Sequence, residues 1–177
     1  MKKKFYIKST LLSLAVMALL NSCLKDPRYV DFSKVGTLVE LPLTEFNDGG
    51  TGGVLQSASY SISSPSDTLV VAVNVASPKP LTSALNVTLS TTDTTVLHAN
   101  APGSVVLPSA DYTVIGGNTV TVPANQRLAY FKVIIHAAAI GVVNSGVYTL
   151  PITIESASGQ PIAQPYKGIL YNISVTP

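Results

Sequence analysis

The sequence predicts an all-β domain made of two packed antiparallel sheets. Three observations carry the prediction. After residue 35 apolar side chains recur with a period of two. Turn-forming Gly, Pro, Asn and Asp interrupt that alternation about every ten residues. Thr, Ser, Val and Ala dominate a composition that is only 11% charged, which suits pleated, half-buried strands better than helices or a disordered tail.

Residues 35–41 are the first candidate strand, closed by the turn run Asn47-Asp48-Gly49-Gly50-Thr51-Gly52-Gly53. Residues 57–62 follow. Leu69, Val71, Val73 and Val75 then alternate with Thr68, Val70, Ala72 and Asn74, until Pro78-Lys79-Pro80 ends the strand. Leu85, Val87 and Leu89 alternate with Asn86, Thr88 and Ser90. Residues 94–100 have a capping Thr or Asp and then Val96, Leu97 and Ala99, which predicts one short helical turn crossing between the sheets. Residues 112–115 and 118–122 flank Gly116-Gly117, the signature of a hairpin. Pro123-Ala124-Asn125-Gln126 is a further turn. Phe131, Val133 and Ile135 face one way with Lys132 opposite, and Tyr148, Leu150, Ile152 and Ile154 repeat the pattern. Pro151 has no amide donor, so that strand is expected at an edge or with a bulge at Pro151. Tyr171, Ile173 and Val175 close the chain. Eight or nine short strands in two sheets fit an antiparallel β-sandwich. It is immunoglobulin-like in architecture only, since paired Cys and a core Trp are absent.

The start of the chain reads differently. Lys2, Lys3, Lys4 and Lys8 precede and flank an apolar run over 11–20, and Leu20-Asn21-Ser22 leads to Cys23, the only cysteine. An apolar run of this length is too short to span a bilayer, which takes about 20 residues. An aliphatic residue three before Cys and a small one just before it form a bacterial lipoprotein signal, with Asn21 the less usual position. The alternatives are a secretory signal with a chance Cys or an anchor helix. The expected organisation is a signal peptide over 1–22, a lipidated Cys23 with a tether over 23–34, and one β-sandwich domain over 35–177. Cys23 is then diacylated and palmitoylated, and several acyl chains hold a protein far more firmly than one.

Cleavage before Cys23 leaves 155 residues, enough for a single core. All nine acidic residues remain but only seven of the eleven basic ones, a net charge of −2 against +2 for the precursor. No basic patch survives, so nucleic acid is not an expected partner. A single cysteine allows no internal disulfide, and stability falls to sheet packing.

Four stretches are distinctive in order and spacing: Val96-Leu97-His98-Ala99-Asn100, Val106-Leu107-Pro108-Ser109-Ala110-Asp111-Tyr112, Val120-Thr121-Val122-Pro123-Ala124-Asn125-Gln126, and Gly146-Val147-Tyr148-Thr149-Leu150-Pro151-Ile152-Thr153-Ile154. Over about residues 35–176 the chain resembles a domain of unknown function found near the N-terminus of many Bacteroidota surface lipoproteins. The resemblance implies an immunoglobulin-like β-sandwich on an outer-membrane lipoprotein, often encoded with glycan-uptake machinery. Family members often carry a further laminin-G-like, discoidin-like or glycosidase domain. The sequence runs to Pro177 without one, and if ligand binding belongs to that domain the expectation is a protein lacking it. Asn125 stands where the family commonly has Gly, and Asn tolerates left-handed backbone.

Candidate chemistry is sparse. Glycoside hydrolysis needs two carboxylates facing one another across a cleft. The acids are spread singly, and Glu45 with Asp48 is the closest pair outside the tether. His98 and His136 are isolated, so no metal site and no cofactor are expected. Asn47-Asp48-Gly49-Gly50 carries too few acids for a calcium loop. No phosphate-binding, nucleophile-elbow or triad motif occurs. Sugars stack on exposed aromatic rings. With no Trp, the tyrosines are the candidates. Tyr112 and Tyr148 are expected at the core edge, whereas Tyr130 and Tyr166 are the possible ligand contacts. Asp67-Thr68-Leu69 and Asp93-Thr94-Thr95 resemble the short periplasmic O-glycosylation motif of these bacteria, at Thr68 and Thr94.

The expected function is therefore a non-enzymatic outer-membrane lipoprotein. It would be a binding or spacer module associated with polysaccharide capture, held to the membrane by its lipid and facing the cell surface rather than the periplasm. Its expected partners are polysaccharide or outer-membrane glycan-uptake proteins. The alternative is a structural or adhesive fimbria-like subunit.

Overall fold

The computed structural model describes residues 36–44, 54–64 and 67–177. The chain divides into Met1–Lys34 and Val35–Pro177, and every described residue lies in the second unit. The leader, Cys23, the tether, Glu45, Asp48 and the glycine-rich run at 47–53 lie outside the described residues.

Ten strands form among the described residues: β1 (Leu38–Glu40), β2 (Leu55–Ser61), β3 (Asp67–Ala76), β4 (Leu85–Ser90), β5 (Val105–Val106), β6 (Tyr112–Ile115), β7 (Thr119–Val122), β8 (Leu128–Ile135), β9 (Tyr148–Ser156) and β10 (Gly168–Thr176). Two short helices, α1 (Thr95–Asn100) and α2 (Ala137–Ile140), join them. One sheet has the order β1-β3-β8-β6. The other runs β2-β10-β9-β4-β7, with β5 added alongside β9. The first order is that of the A, B, E and D strands of an immunoglobulin sandwich, and β4, β9 and β10 take the places of C, F and G.

The period-two pattern holds in β3 and β8, whereas β9 is buried on both faces over 149–154. Leu69, Val71 and Val73 of β3 pair with Val133, Phe131 and Ala129 of β8, and with Val75 and Ile135 they turn into the core, where Phe131 is fully buried. Leu85, Val87 and Leu89 of β4, and Leu150, Ile152 and Ile154 of β9, close the core from the other sheet. The sheets are mostly antiparallel, but β2 runs parallel to β10 and β5 parallel to β9. Both pairs join segments distant in sequence, so no tight turn forces them antiparallel.

Four expectations are corrected. The first strand is shorter than 35–41, spanning only Leu38–Glu40, with Pro42 opening a 3₁₀ turn just beyond it. The residues around Gly116-Gly117 form no hairpin. β6 pairs with β8 in the smaller sheet and β7 with β4 in the larger, so the turn, with φ of +77° and +81°, carries the chain across the sandwich. The helical turn predicted at 94–100 forms as α1, but it stays with the larger sheet, between β4 and β5, and packs on β9 and β10.

Pro151 lies neither at an edge nor at a bulge. β9 is central, and its register break falls where Thr88 opposes Ser156 and Leu89 opposes Ile154, skipping Glu155. The Thr149 carbonyl accepts from Leu107 N–H on the β5 side (3.0 Å), and backbone groups alternate in direction along a strand. The missing donor of Pro151 therefore faces the joint where β9 changes neighbour, between Val106↔Thr149 and Ser90↔Thr153.

Candidate binding face

β3 and β8 are registered over eight pairs, from Asp67↔Ile135 to Asn74↔Leu128. With Val71 and Phe131 turned inward, the intervening residues stand on the outer face of the smaller sheet. Tyr130 lies opposite Ala72 and is 54% exposed. The small alanine leaves the ring open to solvent on that side. One step along β8, Lys132 lies between Val70 of β3 and Ile115 of β6. Val70, Ile115 and Leu128 are all exposed. Ile134 lies between Thr68 and Thr113, both exposed. The face thus offers an aromatic ring, several apolar side chains and a few hydroxyls on a regular sheet.

Its charge is sparse. Glu40 on β1 is 7% exposed, and its Oε1 accepts a hydrogen bond from Asn74 Nδ2 (2.7 Å). Lys132 is exposed and has no hydrogen-bond or ion-pair partner among the described residues. His136 is occupied at both ring nitrogens. Nδ1 donates to the Ala110 carbonyl (3.1 Å), because a carbonyl can only accept, and the Thr113 hydroxyl donates to Nε2 (3.1 Å).

The other expected residues gather on the larger sheet. Thr94 precedes α1, is half-buried, and accepts from His98 N–H at its carbonyl (2.9 Å). Beside it, Asp93 Oδ1 accepts from Thr95 N–H (2.9 Å). Hydrogen bonds from the Thr95 side chain and backbone hold the Asp93 carboxyl below its ordinary range, with a further contribution from the charge of Lys167. Tyr166 is half-buried in a 3₁₀ turn, and its carbonyl anchors Leu41 N–H (2.9 Å). The fold therefore places Thr68 with Tyr130 on one outer face, Thr94 just before α1, and Tyr166 in the connection between β9 and β10.

The remaining tyrosines are structural. The Tyr112 hydroxyl donates to Thr91 Oγ1 (3.0 Å) within the protein, as expected of a core-edge residue. Tyr148 packs against the core. Tyr60 and Tyr171 are buried. Desolvation pushes both hydroxyls up to about 12, and in Tyr60 the Tyr171 and Asp67 charges add to it. Val70, Ile115 and Leu128 were not singled out from sequence, although the alternation that buries Val71 and Phe131 also turns Val70 and Leu128 outward. Among the described residues no three His, Cys, Asp or Glu side chains are grouped to hold a metal, and no helix is long and apolar enough to cross a membrane.

No curated protein matches the chain. Solved structures do. One, of unknown function from Bacteroides ovatus, is 12% identical with a TM-score of 0.59, covering 80% of this chain and 47% of its own. A candidate carbohydrate binding protein from the same species is 13% identical with a TM-score of 0.55, covering 77% of this chain and 36% of its own. The Bacteroides thetaiotamicron protein EndoBT-3987, solved with a Man5GlcNAc product, is 18% identical with a TM-score of 0.52, covering 69% of this chain and 28% of its own. The chain thus spans about half or less of the length of these structures, and the likeness shows a shared fold. A family model described as a "-like, N-terminal domain" matches residues 34–161. That match takes in well over half of the chain, so the protein belongs to this N-terminal-domain family, the Bacteroidota glycan-associated domain of unknown function that its sequence motifs resemble.

Proposed function

We propose that the protein is a non-enzymatic, lipid-anchored module of the outer membrane whose outer sheet face binds glycan for surface capture. The observation that carries the reading is Tyr130, more than half exposed on a regular sheet and flanked by small and apolar neighbours. Such a ring offers the flat apolar platform on which a pyranose stacks. The glycan-related structural neighbours agree with it. The test is retention of the mature chain, with Cys23→Ser, on gels containing plant, host and microbial polysaccharides. Retention that Tyr130→Ala abolishes supports the reading. A chain that no polysaccharide retains keeps only a spacer role. Release of new sugar ends would overturn the non-enzymatic part.

The anchor rests on Cys23. Labelled palmitate should enter the full chain and be lost with Cys23→Ala. Protease shaving of whole cells should remove the domain if it faces outward. Thr68 is exposed on a strand and Thr94 is half-buried beside α1, which favours Thr68 as the O-glycan acceptor. A glycan mass on the Thr68 peptide of native protein, lost with Thr68→Ala, tests this.

A second reading, a structural or adhesive subunit, draws on β2. This edge strand keeps seven unbroken pairs with β10 and carries no charge, proline or bulge, the usual protections of an edge. Concentration-dependent assembly, abolished by Ser57→Pro, would favour it. A monomer at all concentrations would dismiss it.

A further inference from the structure

We infer that the glycan bound on this face is acidic, a polysaccharide carrying carboxylated sugars, with Tyr130 stacking on a ring and Lys132 pairing with its carboxylate. The inference rests on the glycan-binding reading above and names the ligand class of that site. Tyr130 and Lys132 are two residues apart on β8, so they stand on the same face about 7 Å apart. That spacing places an ammonium beside a ring stacked on the tyrosine, where the exocyclic carboxylate of a uronic acid projects.

The surroundings of Lys132 favour an anion from outside the protein. Its cross-strand neighbours are Val70 and Ile115, which offer it no partner. The acid of this face, Glu40, is buried and bonded to Asn74. Lys132 is therefore the only exposed charge among the described residues of this face, and it has no internal partner to surrender on binding. A charge flanked by apolar side chains is less well screened than one in open water, which strengthens its attraction for a carboxylate. Thr113 lies one row further along, and its hydroxyl oxygen, which donates its proton to His136, can still accept from a sugar hydroxyl.

The test uses the mature chain with Cys23→Ser on affinity gels. Polygalacturonate, alginate and hyaluronan form one arm. Neutral galactan, mannan and dextran form the other. The expected result is retention by at least one acidic polymer and by no neutral one. Lys132→Gln should weaken binding about tenfold or more while Lys132→Arg keeps it, and raised salt should weaken it as well. Unchanged thermal unfolding of Lys132→Gln shows that the fold is intact. Retention on neutral polymers, or acidic binding indifferent to Lys132→Gln, overturns the acidic ligand while leaving glycan binding in place. Retention on neither arm overturns both.

Discussion

A Cβ placed on Gly168 would lie 2.6 Å from Cγ2 of Val96 and 3.2 Å from its Cβ. The contact is what seats α1 on the outer face of the larger sheet, where β9 and β10 are buried on both sides. Val96 is β-branched and cannot swing aside cheaply. Gly168→Ala should therefore cost about 1–3 kcal/mol in urea unfolding, typical of an overpacked site. Val96→Ala in the same chain should recover part of the loss. If the two substitutions are simply additive, the contact does not position the helix.

Tyr112 and Tyr171 make a matched pair. The Tyr112 hydroxyl donates to Thr91, whereas the buried Tyr171 hydroxyl has no hydrogen-bond partner among the described residues. Losing a made bond costs, and losing an unmade one relieves a desolvated group. Tyr112→Phe should destabilise by about 0.5–1.5 kcal/mol, and Tyr171→Phe should be neutral or stabilising. Shifts of the urea midpoint at constant slope distinguish them, and equal losses for both would contradict the assignment.

Strands that alternate around large side chains, such as β3 and β8, are legible because burial and period coincide. What sequence could not show was long-range pairing. Gly116-Gly117 fits a hairpin locally, but Tyr112 buries against the smaller sheet and Val122 against β4, which pulls the two strands apart. Pro151 reads as an edge residue because its central position depends on β4 and β5 meeting at that point. The crossing predicted for α1 failed because Leu97 finds burial with the larger sheet instead. Tyr130 was legible as an exposed ring from its place opposite Phe131. Lys132 as the lone exposed charge beside it depends on the burial of Glu40, which the sequence does not display.

Asn125 adopts φ +63° in the turn after β7, a left-handed conformation that Asn tolerates better than most residues. Its N–H donates to the Leu81 carbonyl (2.8 Å), and Gln126 N–H donates to Pro123 (3.0 Å), so the turn is fixed from both sides. Asn125→Gly should change stability by only a few tenths of a kcal/mol, whereas Asn125→Val should cost about 1–2 kcal/mol. Calorimetric midpoints read the difference, and a harmless valine would mean that the turn relaxes to negative φ.

Alkaline pH should unfold the domain through its two buried tyrosines. Tyr60 and Tyr171 titrate near 12 in the folded protein, against 10.0 when unfolded, chiefly because burial penalises the phenolate. Between these values the unfolded chain has released protons that the native one still holds, so stability falls as pH rises. Below pH 10 their contribution is fully present, and it is lost progressively toward pH 12. Urea midpoints should therefore stay level with respect to these groups up to about pH 10 and drop above it. Tyr171→Phe should flatten part of the alkaline decline. A decline of unchanged steepness in that variant would show that Tyr171 does not carry it.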